Sequence, residues 1–311
     1  DVPGEWYPPT QPIPTKPPAY SRNVLNVPDD LIDFTPAMRN QALENIKRYR
    51  VMPKGMPYNP PMLGKVDGML GSINIGNLGG GTNWPGGSYD PETHTAFVQA
   101  NNAGIGAMSL VAPPAGFSDI RYVMGVQGAP FIVSEGPGFG SAADAPQKKG
   151  PEAPMVAGTA VPNLLQVEGL SIMKPPYGVL NAINLDRGEI TWQVPHGETP
   201  DNVRNHPLLK GITVPKTGQP VSVGLAVTRS LVIVGDGMVT NPGGRPRGAM
   251  LRGYDKKTGA EVGAVYIPAP QSGSPMSYQW DGKQYIVVAV SGGNYSGEYI
   301  AFALPDSEIK K

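Results

Sequence analysis

The chain has 311 residues, 40% of them hydrophobic, so it is long enough to bury one large core or two smaller ones. Lys plus Arg and Asp plus Glu number 25 each, and this balance gives no overall field that would attract nucleic acid or an anionic membrane. The absence of cysteine excludes disulfides and thiolate sites, and no apolar run reaches the ~20 residues that a membrane span needs.

The first segment of the chain is rich in proline. Seven prolines within residues 1–20 favour an extended polyproline arm that lies on a partner surface. A helix is predicted next, over residues 36–50, because Thr35 is a suitable N-cap and Pro36 suits the first helical position. The apolar residues of this segment recur at helical spacing: Met38, Ala42, Ile46 and Tyr49.

Beyond the helix, segments of strand, turn and strand repeat. The chain contains 41 Gly and 36 Pro, which indicates many short strands and turns. Hairpins are predicted over residues 87–100, 221–235 and 276–290. The continuous β-branched runs at 232–234 and 286–288 indicate strands that are buried on both faces, as when sheets stack on each other.

A second hairpin type alternates with the first, over residues 180–192 and 251–263. A polar residue, Asn184 or Asp255, can cap each turn, and the glycine four residues later supplies the positive φ that closes it. Trp192, at the end of one of these hairpins, is expected to pack between sheets. Alternating hairpins at intervals of roughly 70 residues are typical of four-stranded propeller blades.

With a final strand at 299–304, the chain holds about three blades. Three blades cannot close a ring, since propellers contain about four to eight. Either the chain is part of a larger propeller, or residues 101–176 hide a fourth blade. The predicted fold is therefore an all-β propeller portion of three to four blades within residues 61–311. An arm and one short helix within residues 1–60 pack on it.

The stretch 79–91 carries the most distinctive chemistry of the chain. Trp84 offers a flat face for stacking and Asn83 offers a donor and an acceptor, between glycines that let a ligand approach the backbone. The alternative is a glycine-rich turn with a packed tryptophan. The histidines lack metal-ligand spacing, so hydrogen-bonded or solvated side chains are expected at His94, His196 and His206. Three turn or edge carboxylates form no acid–base pair: Glu168, Asp186 and Asp255.

Several motifs together resemble the C-terminal portion of a pyrroloquinoline quinone (PQQ) dependent dehydrogenase of the membrane glucose dehydrogenase-like type. The resemblance spans nearly the whole chain. It rests on residues 9–18, 29–36, 80–91, 275–285 and 299–305, and on a tryptophan-docking hairpin that ends at Trp192.

This resemblance implies an eight-bladed quinoprotein that oxidises an alcohol or aldose by hydride transfer to PQQ, with Ca²⁺ polarising a quinone carbonyl and a carboxylate removing the hydroxyl proton. It implies that Asn83 and Trp84 contact PQQ. It also places the loop 291–294 at the substrate entrance, with Gly293 and Asn294 as candidate residues. Sugar-oxidising relatives often carry His where this chain has Asn294, which argues against glucose itself as the substrate.

The resemblance places the catalytic Asp, the Ca²⁺ ligands and a basic residue near the quinone upstream of the proline-rich arm. No catalytic residue and no metal ligand is therefore expected in this chain. It would supply half of a site and be inactive without an N-terminal half carried on a second chain.

The start at Asp1, without Met or a signal peptide, indicates a processed, truncated or engineered chain. The family implies a periplasmic or extracytoplasmic location, membrane association through another segment, and a quinone or cytochrome as electron acceptor. The alternative function is a non-catalytic propeller scaffold that binds other polypeptides along strand edges.

Overall fold

A computed structural model describes residues 15–53, 60–63, 68–76, 80–117, 119–125, 132–133, 148–149, 164–242 and 244–305. Its helices are α1 (Pro36–Ile46), the single turn α2 (Asp201–Arg204) and a 3₁₀ turn (Pro207–Leu209). The strands before the long connection at 112–122 are β1 (Met62–Leu63), β2 (Ser72–Ile75), β3 (Gly87–Asp90), β4 (Thr95–Asn101) and β5 (Ile105–Val111).

The remaining strands follow in chain order. Five of them are two residues long: β6 (Val123–Met124), β7 (Ile132–Val133), β8 (Lys148–Lys149), β9 (Gln166–Val167) and β10 (Leu170–Ser171). The next six are β11 (Gly178–Asn184), β12 (Glu189–Pro195), β13 (Leu225–Val227), β14 (Leu231–Gly235), β15 (Ala249–Asp255) and β16 (Glu261–Ile267). The last three are β17 (Met276–Trp280), β18 (Lys283–Gly292) and β19 (Tyr295–Ala303).

Three antiparallel sheets follow one another along the described chain. The first sheet has the order β3-β4-β11-β12, the second β13-β14-β15-β16 and the third β17-β18-β19. Successive strands of each sheet are neighbours, which is the up-and-down arrangement of a propeller blade. Each predicted hairpin forms within one of these sheets, and the all-β propeller prediction is confirmed.

The second sheet lies between the other two because its strands are apolar on both faces. Val232 and Val234 share a buried cluster with Phe97 of the first sheet. Ile233, which points the opposite way, shares another with Val288 and Val290 of the third sheet. Alternate residues of one strand thus contact different sheets, as the predicted burial on both faces requires.

Trp192 packs between the first two sheets, as predicted. Its indole N–H donates a hydrogen bond of 3.1 Å to the Lys256 carbonyl, and its ring centroid lies 5.8 Å from that of Phe97. The ring rests on Gly259, where an added Cβ would lie 2.7 Å from it. Gly259 also closes its turn at φ +73, while the Asp255 carboxylate accepts a hydrogen bond of 2.8 Å from the Thr258 N–H. The glycine therefore serves both the turn and the contact between sheets.

Helix α1 begins as predicted but is shorter. The Thr35 hydroxyl accepts a hydrogen bond of 3.1 Å from the Met38 N–H, and Pro36 occupies the first turn. The helix ends at Ile46 instead of residue 50, because the Tyr49 N–H bonds to the Ile46 carbonyl (3.1 Å) and tightens the chain into a turn. Tyr49 remains buried, so the apolar pattern continued beyond the helix itself.

The described part of residues 101–176 forms no fourth blade. Strand β5 pairs in parallel with β1 and antiparallel with β2 and β6, which gives a small mixed sheet. The parallel partner comes from an upstream segment, whereas a blade is built from consecutive antiparallel strands.

The end of the proline-rich segment lies against the first sheet; residues 1–14 lie outside the described residues. The Lys16 ammonium lies 3.3 Å from the Glu189 carboxylate, and the Gln193 amide donates to the Tyr20 carbonyl at 3.1 Å. Arg22 then donates to the Lys174 carbonyl (2.9 Å) and anchors the chain beside the sheet.

The up-and-down order places the connections of the three sheets on two sides. One side carries short turns at residues 91–94, 185–188, 228–230, 256–260 and 281–282. The other side carries the start of β3, the turn between β18 and β19, and the strand ends from which the long connections depart, after β4, β12, β14 and β16. The longer connections of the three sheets therefore start and end on one side of the stack, the side on which binding residues of such folds commonly lie.

The contact between Trp192 and Gly259 predicts a specific loss of stability. Gly259→Ala adds a methyl group against the indole ring at a positive φ, so we expect the free energy of unfolding of the intact protein to fall by about 1–3 kcal/mol. Urea unfolding measures this change. Gly282→Ala is the matched control, because Gly282 also closes a hairpin turn at positive φ (+71) but its Cβ meets no atom within 4 Å; an equal loss in both variants would contradict the packing role.

Candidate functional site

A cleft with a volume of ≈ 600 Å³ opens on the side that carries the long connections. It lies where the loop before β3 meets the end of β4 and the segment that leads into β13. The residues that line it are Gly76, Gly80, Asn83, Trp84, Pro85, Asn101, Ala103, Gly104, Ile105 and Ser222. The two sequence-predicted binding residues, Asn83 and Trp84, therefore share this cleft.

Trp84 projects from the protein surface at the edge of the cleft. Its relative exposure is 97%, so the alternative of a packed tryptophan does not hold. The Asn83 carboxamide oxygen accepts a hydrogen bond of 2.9 Å from the Trp84 N–H, and the Asn83 carbonyl accepts one of 2.8 Å from the Gly86 N–H. This tight turn holds the backbone and leaves the ring free to contact a ligand.

The loop that carries Asn83 and Trp84 is anchored through Gly81. The Gly81 carbonyl accepts two hydrogen bonds, one from the Asn101 N–H (2.7 Å) and one from the Ser222 hydroxyl (2.8 Å). A Cβ at Gly81 would lie 2.6 Å from the Ser21 hydroxyl oxygen, so only glycine fits without a shift. The loop is thus attached to both of the sheets that meet at the cleft.

Gln99 fixes the junction beneath this loop. Its fully buried side chain donates to the Val221 carbonyl (2.7 Å) and accepts from the Val223 N–H (2.9 Å). Both polar atoms of the amide are satisfied, which removes the cost of burying them. Gln99 thereby places Ser222, the residue between its two partners, at the Gly81 carbonyl.

The side chains that line the cleft are neutral. Its polar side chains belong to Asn83, Asn101 and Ser222, and no charged residue is among its lining residues within the described part of the chain. The Asn83 oxygen is occupied by the Trp84 N–H, so its amide nitrogen is the group left for a ligand. A flat ring and neutral donors suit a planar ligand that carries acceptor oxygens.

Gly293 and Asn294 form the two-residue turn between β18 and β19 and do not line the cleft. Their φ values are +61 and +72, the pattern of a type I′ hairpin turn, in which Asn and Gly are favoured. The predicted four-residue loop 291–294 is wrong in length, because β18 extends to Gly292. The turn points to the same side as the cleft, and a Cβ at Gly293 would lie 3.0 Å from Val239.

The three histidines lie apart and each is hydrogen-bonded within the protein. The ring of His94 lies 3.0 Å from the Asp186 carboxylate, and that of His206 lies 2.9 Å from the Glu168 carbonyl. His196 is fully buried and bonded at both nitrogens.

Two buried carboxylates that the sequence interpretation did not single out are held in ion pairs. Asp236 lies 2.7 Å from the Arg252 guanidinium, and Asp90 lies 2.8 Å from the Lys256 ammonium. Each carboxylate is buried against its cationic partner and is therefore poorly placed to accept a substrate proton. Among the described residues, no group of three or more His, Cys, Asp or Glu could hold a metal ion.

Comparison with known families assigns the chain. A family model described as "PQQ: Glucose/ethanol/alcohol dehydrogenase, beta-propeller domain" matches residues 1–286. The chain belongs to this family. The match covers the three sheets up to β18, together with the cleft and its Asn83–Trp84 loop.

Named relatives agree with this assignment. The chain is 28% identical over 313 residues to a protein named probable quinate dehydrogenase (quinone) from Xanthomonas campestris pv. juglandis, covering 99% of this chain and 35% of the relative. It is 27% identical to quinate/shikimate dehydrogenase (quinone) of Acinetobacter baylyi, with 98% and 34% covered. It is 26% identical to a glycerol dehydrogenase large subunit of Gluconobacter thailandicus, with 98% and 38% covered. The chain thus spans about a third of the length of these relatives.

The environment of His196 predicts a pH-dependent stability. Its Nε2–H donates to the Gly235 carbonyl (3.1 Å), so Nδ1 accepts from the Tyr254 hydroxyl (3.0 Å) and the ring is neutral. Burial lowers the pKa of His196 from 6.5 to about 4, against the opposing attraction of Asp236. Between pH 6.5 and 4, the His196 ring is therefore protonated in the unfolded chain but neutral in the folded one. The free energy of unfolding should fall by roughly 3 kcal/mol as the pH drops through this range.

Urea unfolding of the intact protein at pH 7.5, 5.5 and 4.5 measures this loss. His196→Gln removes the titrating ring and leaves every other ionisable group of the protein in place. We expect the wild-type protein to lose more stability on acidification than the variant. Parallel pH profiles would rule out His196 as the source of the difference.

Proposed function

We propose that the protein carrying this chain is a PQQ-dependent dehydrogenase that oxidises an alcohol or aldose. In this proposal the chain supplies part of the PQQ site through Asn83 and Trp84. The family match over residues 1–286 supports the activity. The observation that carries the proposed site is the cleft in which an exposed tryptophan and carboxamide donors stand together.

The residues of the cleft fit this cofactor. PQQ is a flat, fused-ring quinone whose carboxylate and carbonyl oxygens accept hydrogen bonds. Trp84 offers it a face and Asn83 an N–H donor, and no carboxylate that would repel it is among the described lining residues. When bound, PQQ supplies the quinone that accepts the hydride from the substrate carbon.

The chain's own contribution is to hold and orient the cofactor. The hydrogen bonds from Asn101 and Ser222 to the Gly81 carbonyl order the loop before the cofactor binds. Trp84 would therefore stack on the cofactor without the entropic cost of ordering the loop. Gly293 and Asn294, on the same side of the sheets, are proposed to line the substrate entrance. They form a tight two-residue turn, a geometry that suits a wall of a pocket better than a moving lid.

Ca²⁺, the catalytic base and the basic residue near the quinone are proposed to come from protein outside this chain. The described residues offer no group for a metal, and the buried carboxylates Asp236 and Asp90 are engaged by Arg252 and Lys256. The cleft also lacks a cation among its described lining residues, although PQQ carries negative charge. A partner that contributes these groups would complete the site.

The outer face of the third sheet is proposed to receive that partner, an N-terminal half of the propeller. Cross-strand pairs place Met276 beside Val287 and Tyr278 beside Tyr285, whose rings stack at 5.1 Å. Trp280 and Tyr299 are 72% and 82% exposed. The opposite face of this sheet is already buried, so the sheet is apolar on both faces, as expected for a sheet with neighbours on both sides.

The remaining assignments follow from the family and stand as proposals. Residues 1–60 would be an extension packed on the sheets of residues 61–311, and the contact of Trp192 with Gly259 would be a tryptophan-docking contact. Quinone or cytochrome would accept the electrons, in a periplasmic or extracytoplasmic location. Within the described residues, no helix is both long and apolar enough to cross a membrane.

The experiment is reconstitution of the intact protein that carries this chain. We expect added PQQ and Ca²⁺ to give a quinone absorbance band that stays with the protein through desalting, and oxidation of alcohol substrates with an artificial electron acceptor. Quinate and glycerol, for which the relatives are named, and glucose, which the family description names, should be tested separately as substrates. Failure to retain PQQ would overturn the proposal and favour a scaffold function.

Trp84→Ala tests the stacking role. The ring is exposed, so its removal should leave stability unchanged but weaken PQQ binding by about 1–3 kcal/mol, the range for stacking of a planar base on an aromatic side chain. Equilibrium dialysis with PQQ measures the affinity. Trp84→Phe is the matched control and should retain part of it. The same affinity in all three proteins would mean that Trp84 does not stack on the cofactor.

A further inference from the structure

Asn101 lines the same cleft as Asn83 and Trp84, and the protein uses only part of its side chain. The carboxamide oxygen accepts a hydrogen bond of 3.0 Å from the Ala103 N–H. No described residue accepts a hydrogen bond from the amide nitrogen, which is also absent from the buried unpartnered atoms. This NH₂ group is therefore accessible from the cleft.

The contact with Ala103 decides which way the carboxamide faces. A backbone N–H can only donate, so the atom that meets it must be the oxygen of Asn101. The amide nitrogen of Asn101, with its two N–H donors, is consequently available to a ligand. Asn83 is arranged in the same way, because its oxygen accepts from the Trp84 N–H. Two carboxamides of one cleft thus have their acceptor ends occupied and their donor ends available.

The position of Asn101 is fixed relative to the tryptophan loop. It is the last residue of β4, paired with Gly178 of β11, and its backbone N–H holds the Gly81 carbonyl at 2.7 Å. The loop and the carboxamide are therefore parts of one hydrogen-bonded unit. A ligand that stacks on Trp84 would meet a donor whose position was set before binding.

We propose that Asn101 is a further ligand-binding residue, whose amide nitrogen donates a hydrogen bond to a carboxylate or carbonyl oxygen of the planar ligand in this cleft. The ligand would be PQQ, so this inference rests on the proposed function. The chemistry is complementary, since the cleft presents neutral donors and the ligand presents acceptors. A hydrogen bond to a charged acceptor is stronger than one between neutral groups.

The test compares Asn101→Asp, Asn101→Ala and the wild type in the intact protein. Asp keeps an oxygen for the Ala103 N–H but replaces the donor with a negative charge, so the local fold is retained while the ligand contact is lost. Equilibrium dialysis with PQQ in the presence of Ca²⁺ measures the dissociation constant without reference to turnover. We expect it to rise about tenfold for the Ala variant and further for the Asp variant.

Asn241→Asp is the matched control, because Asn241 is exposed on the same side of the sheets but does not line the cleft. It should bind PQQ as the wild type does. If the wild type binds PQQ and both Asn101 variants bind it within about twofold of that affinity, the role of Asn101 is wrong while the proposed function stands. If the wild type does not bind PQQ, the proposed function and the role of Asn101 are both wrong.

Discussion

Face-to-face packing of sheets that are apolar on both sides is the interaction on which the rest of this structure depends. In β14, Val232 and Val234 contact one neighbouring sheet and Ile233 contacts the other. Because side chains alternate across a strand, no rearrangement within one sheet could bury both sets. Stacking is therefore required, and it brings the edge of the first sheet beside the start of the second, where the cleft lies.

The cleft depends on this stacking more than on any element of its own. Gln99 belongs to the first sheet, yet both of its side-chain bonds go to the segment that enters the second. Ser222, placed by that segment, then holds the Gly81 carbonyl and with it the loop of Asn83 and Trp84. The cleft therefore presents hydrogen-bond donors and an aromatic face to a ligand. The buried carboxylates Asp90 and Asp236 form ion pairs outside the cleft.

Local features of the structure could be predicted from the sequence, because local chemistry determines them. The hairpins, the caps at Asn184 and Asp255 and the start of α1 at Thr35 each depend on residues a few positions apart. The predicted end of α1 was wrong. Tyr49 is buried by tertiary packing, so its position fits the helical spacing although the residue is not part of the helix. The spacing of apolar residues shows which residues are buried, but it indicates a helix only indirectly.

The site could be predicted only in part for the same reason. Asn83 and Trp84 are visible in sequence because aromatic and amide residues stand between glycines. Asn101 and Ser222 are not, because they reach the cleft from strands and segments 18 and 139 residues after Asn83. Their spacing carries no signal, and only the stacked sheets bring them together.

The proposed completion of the propeller requires that the outer face of the third sheet be covered by another part of the functional protein. Hydroxyl-radical footprinting read by mass spectrometry measures the reactivity of Met276, Trp280 and Tyr299, first in this chain produced alone and then in the intact protein. The account predicts strong labelling of all three in the chain alone and protection in the intact protein. Equal labelling in both states would contradict it.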